Sequence, residues 1–260
     1  DVFFVVSGFL ITGLLLRERE RTGRISMRQF FTRRIRRIMP AAAVTIAVTT
    51  ALGFLILSPT RAQATLGDGL FASIFLANWR FAAGGTDYFA SDMGTSPLQH
   101  FWTLSVEEQF YLVWPWMLIA TLAIAAAAAS RAGKTIATTT QRRILAAVLI
   151  PIVAASLIWS IVETATAPSV AYFATASRIW ELGAGALLAV GAPLFARLET
   201  NARTTLAIAG LTGIVASMVL LTEASPVPGP LALIPVLATA ALLASGIGGE
   251  TVEKIVVRVM

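Results

Sequence analysis

The sequence predicts an all-α, polytopic bundle of transmembrane helices, with about seven spans in this stretch of chain. Three observations carry that prediction. Hydrophobic residues make up 57% of the 260 and charged residues only 13%, with a mean hydropathy of +0.78. That leaves too little polar surface to cover a water-soluble globule. The apolar residues fall in runs near the about 17–25 positions that a membrane crossing needs. Short blocks of Arg and Lys separate these runs, the arrangement that the positive-inside rule describes.

Taken in order, residues 2–16 read as a helix that has lost its first turn, followed by a polar stretch, 17–37, that contains nine Arg. Residues 38–57 form the next span, with Pro40 in the first turn, where a missing N–H is tolerated. Residues 67–79 are apolar but short, and read as re-entrant, interfacial or a short tilted span. A loop with Gly and Asp covers 80–96. Ser96, Pro97 and Gln99 then give a helix start with a capping box. This helix runs to about residue 129, and its Ala-rich stretch 123–129 reads as filler that permits close packing. Further spans are expected at 144–162, 172–195, 205–222 and 231–247, separated by Pro- and Gly-rich turns such as 225–230.

The formal net charge is +6. Its cations sit in blocks beside apolar runs, which argues for membrane lipid and against nucleic acid as the partner. If 67–79 does not cross, residues 17–37, Arg131, Lys134, Arg142, Arg143, Arg197, Arg203, Lys254 and Arg258 share one side. Arg61, Arg80, Asp87, Asp92, Glu163 and Glu223 share the other. The first group is expected in the cytoplasm. With no Cys and one His, neither a disulfide framework nor a thiolate or all-protein zinc site is expected. The chain starts inside an apolar run without an initiator Met, and is expected to be an internal fragment.

Three groups of residues stand out chemically. In a helix starting at Ser96, His100, Glu107 and Tyr111 fall near one face, with Thr103 and Trp114 beside them. Carboxylates on an apolar helix cost a few kcal/mol to insert, about 2.5–3.5 on insertion scales, and normally face a polar cavity. Glu107 and Glu108 either handle a proton or bind an acceptor there, or they pair with an Arg of another helix to fix packing. His100 alone reads as an interfacial histidine, and Pro115 is expected to kink the helix and free a carbonyl.

The second group is Arg33, Arg34, Arg36 and Arg37, four guanidinium forks within five positions that suit phosphate oxygens. Headgroup anchoring is the plainer reading. In the third, Arg178 and Glu181 are spaced to pair along one helix, or to line the same cavity as Glu107. Gly183 and Gly185 nearby allow helices to approach.

Together, the run Asp1 to Gly13, the Arg33–Pro40 cluster, the block from His100 to Pro115 and the block from Arg178 to Gly185 resemble, in this order, the acyltransferase-3 family. These are bacterial membrane acyltransferases of the O-antigen and peptidoglycan O-acetylase type. The stretch from Pro226 to Ala244 also looks like the family's late pattern. The resemblance implies a single acyltransferase domain over residues 1–260, truncated at both ends, in a bacterial cytoplasmic membrane. It implies acyl-CoA, most simply acetyl-CoA, as the donor, with no permanently bound cofactor. The acceptor it implies is a hydroxyl of an envelope or exported carbohydrate. Arg34 and Arg37 match the family's paired arginines and would hold CoA phosphates, helped by Arg33 and Arg36. Glu107 and Tyr111 would act at the reacting hydroxyl, while His100, Trp102, Glu108, Arg178 and Glu181 would meet the acceptor. The family's usual base is a histidine on a helix that would precede Asp1, and its final spans would follow Met260, so the segment alone is expected to be inactive. The competing expectation is a multi-pass transporter or glycan-translocating protein, although no inverted repeat is visible.

Overall fold

The computed structural model describes residues 1–84, 95–222 and 225–248. Every regular element among them is helical, with no strand, in agreement with the predicted class. Asp87, Asp92, Glu223, Lys254 and Arg258, used above to orient the chain, lie outside the described residues.

The first helix, α1 (Val2–Thr22), continues well past its apolar run and stops at Gly23, whose φ of 73° lets its N–H bond the Arg19 carbonyl. The second, α2 (Met27–Ile56), begins eleven positions before residue 38. Ser26 accepts a hydrogen bond from the Gln29 N–H, a helix start that the surrounding arginines disguise. Residues 17–37 are therefore two helix ends and a short turn. Pro40 accordingly lies inside α2, where the Arg36 carbonyl receives no N–H from it.

Residues 67–79 do not form one helix. They are divided between α3 (Pro59–Ser73) and α4 (Ala77–Ala83). Phe75 sits in the break with a φ of 56°, a strained value for an aromatic residue. Neither piece is long enough to cross a bilayer. The next helix, α5 (Phe101–Arg131), starts later than Ser96. The Ser96 hydroxyl accepts from Leu98 N–H and its carbonyl accepts from Gln99 N–H, so residues 96–100 turn and the capping box does not form. The stretch 123–129 is helical but mostly exposed, not closely packed.

After α6 (Thr138–Thr166), the segment 172–195 is interrupted rather than continuous: α7 (Pro168–Phe173), α8 (Thr175–Val190) and α9 (Ala192–Phe195) divide it at Ala174 and Gly191. Then come α10 (Thr200–Leu220), a 3-10 turn (Pro230–Ala232) and α11 (Leu233–Gly246). Among the described residues, four helices, α2, α5, α6 and α10, are long and apolar enough to cross a membrane, and Pro230–Gly246 is a shorter apolar segment. Of the remaining expected spans, 172–195 is interrupted, 231–247 is short, and 2–16 lies within the continuous helix α1. Outward-facing Val44, Leu55, Ile158, Val162, Met218 and Val219 give these helices lipid-compatible surfaces.

At the centre of the bundle, α8 packs against α1 on one side and α6 on the other, while α10 pairs with α11. Contact between α1 and α8 is backbone to backbone. A Cβ on Gly8 would fall 1.9 Å from the Leu182 carbonyl oxygen, and one on Gly185 2.0 Å from that of Val5. At one end of the bundle the basic segments converge. Arg142 bonds Glu20 and the Ala189 and Val190 carbonyls at the C-terminus of α8. Arg203 donates to the Leu198 and Ala196 carbonyls and to that of Ile247 just after α11. Cations here offset the negative ends of those helices.

Candidate active site

Ser7 on α1, Glu107, Glu108 and Tyr111 on α5 and Arg34 on α2 form one connected polar chain inside the bundle. Arg34 donates to Glu108 at 2.8 Å, and its guanidinium lies 3.5 Å above the centroid of the Tyr111 ring. The Tyr111 hydroxyl donates to Glu107 at 3.2 Å and is also bonded to Ser7. Glu107 and Tyr111 are each 3% exposed. Neighbouring positions on a helix point about 100° apart, so Glu107 turns toward Tyr111 and Ser7 while Glu108 turns toward α2. One turn further, Trp114 donates to Thr12 at 2.8 Å and stacks on Phe110, which fixes α5 against α1.

Pro115 has no N–H to give the Tyr111 carbonyl, as expected, but α5 continues as helix through it. His100 does not join this chain. It sits just before α5, exposed, beside the Phe101 ring. Seven helical positions are about 10 Å of rise, so a shared face is not a shared site.

Of the four clustered arginines only Arg34 enters the bundle. Arg33 is exposed and reaches Glu18 at 3.7 Å, while Arg36 and Arg37 point outward. Ser26, Arg28, Gln29, Thr32 and Arg33 line an open groove of about 420 Å³ where α2 begins. The helical spacing continues that face to Arg36.

Arg178 and Glu181 do pair, at 2.8 Å, and both are almost wholly buried. Arg178 also bonds the Asp1 carboxylate and the Tyr172 carbonyl, and lies 5.2 and 5.0 Å from the Trp102 and Tyr172 ring centroids. Phe4, Trp102, Thr103, Tyr172 and Arg178 line a cavity of about 200 Å³ at the end of the bundle opposite the basic segments. Glu107 is not among its lining residues, so Arg178 and Glu107 do not share one cavity. Among the described residues, sequence reasoning gave no role to Ser7, Thr12, Asn78, Gln109 or Thr175. Isolated polar side chains at buried positions of apolar stretches are the signal that marks them.

Glu107, Glu108, Tyr111 and Arg34 form a carboxylate–tyrosine–arginine chain inside a bundle of apolar helices. The chain belongs to the acyltransferase-3 family, whose pattern, described as an acyltransferase domain, matches residues 1–250. It is similar to the peptidoglycan O-acetyltransferase OatA of Listeria monocytogenes, with 32% identity over 220 residues, covering 82% of this chain and 33% of that protein. It is also similar to the O-acetyltransferase OatA of Staphylococcus aureus, with 39% identity over 115 residues, covering 44% of this chain and 19% of that protein. The chain spans a third or less of these curated relatives. No solved structure matches it.

Proposed function

We propose that the protein containing this chain transfers an acyl group, in the simplest case acetyl, from acyl-CoA to a hydroxyl of a cell-envelope carbohydrate. The observation that carries this reading is the continuous chain from Arg34 through Glu108 and Tyr111 to Glu107 and Ser7. It leads from the arginine-rich start of α2 into the bundle, toward the opposite cavity. The names of the relatives, peptidoglycan O-acetyltransferase among them, support the acceptor class.

In this reading the basic end faces the bacterial cytoplasm, and the CoA phosphates meet Arg28, Arg33, Arg36 and Arg37 along the outer face of α2. Arg34 plays a different part. It screens the two adjacent carboxylates and holds Tyr111 in place. The carbohydrate enters at the cavity of Trp102, Tyr172 and Arg178, where aromatic rings offer a flat face to a sugar. The hydroxyl oxygen bonds to the thioester carbonyl carbon and the C–S bond breaks. CoA leaves as a thiolate that takes up the hydroxyl proton. Glu107, buttressed by Tyr111 and Ser7, orients the hydroxyl or its proton.

One observation favours a transporter instead: two helices are interrupted, between α3 and α4 and between α7 and α8. In transporters such breaks offer free carbonyls to an ion. Here the Phe75 and Phe173 carbonyls accept from Gln109 and Asn78. The test is the complete protein in proteoliposomes, with labelled acetyl-CoA supplied on the basic side and a soluble glycan on the other. Acetyl ester on the glycan supports the transferase. Glycan movement with no ester formed supports the transporter.

A further inference from the structure

Asn78 on α4, Gln109 on α5 and Thr175 on α8 close a three-membered hydrogen-bond ring. Gln109 donates to the Asn78 side-chain oxygen at 2.9 Å, Asn78 donates to the Thr175 hydroxyl at 3.0 Å, and Thr175 donates back to the Gln109 oxygen at 2.6 Å. Each donor points the same way round, which fixes both amide orientations. The remaining donors are also spent. Gln109 donates its other N–H to the Phe75 carbonyl at 2.8 Å and accepts from the Trp79 indole at 3.3 Å, while Asn78 donates to the Phe173 carbonyl at 3.1 Å. Phe75 and Phe173 are the residues at which two helices break, and their carbonyls lack a continuing helix to serve them.

Chain connectivity gives the ring its consequence. Gln109 directly follows Glu107 and Glu108 on α5. Thr175 is the first residue of α8, one turn before Arg178, and Phe173 follows Tyr172. The ring therefore joins the helix that carries the buried carboxylates to the segment that carries the aromatic and cationic wall of the opposite cavity. A satisfied polar network in an apolar surrounding is stiff and strongly directional.

We infer that Asn78, Gln109 and Thr175 are positioning residues: their ring sets the distance and angle between the acceptor cavity and the Glu107 carboxylate. The inference rests on the acyl-transfer reading. None of the three touches the reacting atoms. They act through α5 and α8, so they govern turnover of the bound complex rather than capture of the donor.

The experiment uses the complete protein with acetyl-CoA and a soluble glycan, comparing Thr175→Val, which keeps the shape but loses the hydroxyl, with Thr175→Ser, which keeps the hydroxyl. Thr175→Val lowers kcat at least about tenfold with the KM for acetyl-CoA within about twofold, the signature of a lost transition-state arrangement. Thr175→Ser stays near wild type, and the Asn78→Leu/Thr175→Val pair is no slower than the slower single variant, as expected of one unit. A Thr175→Val kcat equal to wild type, an equal loss in Thr175→Ser, or a loss that tracks only the amount of folded protein overturns the inference. If the wild type transfers no acetyl at all, the acyl-transfer reading fails instead. Backbone amide exchange then reads the ring directly: Thr175→Val must quicken exchange around both residues 75–76 and 173–174, and quickening at one break or neither refutes it.

Discussion

Arg34 and Arg178 are built from the same parts, a guanidinium against an aromatic ring and a carboxylate at 2.8 Å, yet they sit in opposite situations. Arg178 is almost wholly buried, held by Glu181 on its own helix and by Asp1 at the start of α1. Its partner Glu181 is three positions along the same helix, a backbone carbonyl takes its Nε, and the pair is buried. Arg34 crosses from α2 to α5, keeps some exposure, and has a buried Nε with no partner. The first arrangement fixes the wall of the cavity that it lines. The second leaves donor capacity beside two carboxylates, which is what a site that must meet a ligand requires.

The contrast can be broken by substitution, and the largest effect is expected at the closed pair. Replacing Arg178 by Met strands Glu181 without its cation and costs about 3–5 kcal/mol. Thermal unfolding of the purified complete protein in detergent measures it as a much lower Tm and folded yield. At the open pair, Arg34→Met costs less stability, about 2 kcal/mol, because Glu108 keeps some access to solvent. It lowers kcat by more than about tenfold, as expected when a group that acts only in the reacting complex is lost. Steady-state rates divided by folded protein separate the two quantities. Lysine at 34 does not restore the rate, because an ammonium cannot both cover the Tyr111 ring and fork onto Glu108.

The smallest stability change is expected at the exposed arginines. Arg36→Ala and Arg37→Ala each shift stability by less than about 0.5 kcal/mol. The pair raises the KM for acetyl-CoA several-fold with kcat unchanged, and titration of acetyl-CoA in steady-state assays reads it. A result in which Arg36 and Arg37 alter kcat while Arg34 alters only KM would reverse the division of labour proposed here.

How much of this was legible beforehand follows the same contrast. The Arg178–Glu181 pair could be read because its members are three residues apart on one helix, and helical geometry alone brings them together. The Arg34–Glu108 pair joins residues 74 apart in the chain, and no local periodicity reports which helices will be neighbours. Glu107 and Tyr111 come together for a local reason, since one turn of helix separates them. His100 leaves the face of Glu107 and Tyr111 because residues 96–100 form a turn before α5 begins. The helix break at Ala174 leaves no sequence signal because its flanking residues are mostly apolar, and the one at Phe75 shows only as an apolar run too short to span. What permits the breaks is a set of distant amides, Asn78 and Gln109, that serve the interrupted carbonyls. The all-helical membrane class, by contrast, depends on composition and run length, which need no tertiary knowledge.

In the proposed reaction Glu107, held by Tyr111 and Ser7, works on the reacting hydroxyl rather than only fixing helix packing. Its most direct test is Glu107→Gln in the complete protein, a change that keeps shape and hydrogen-bonding capacity but removes the charge. Acetyl transfer from labelled acetyl-CoA to a soluble glycan is measured under single-turnover conditions. The expected rate is lower by about 100-fold or more, with acetyl-CoA binding and Tm close to wild type. A glutamine variant that transfers acetyl at the wild-type rate would contradict it.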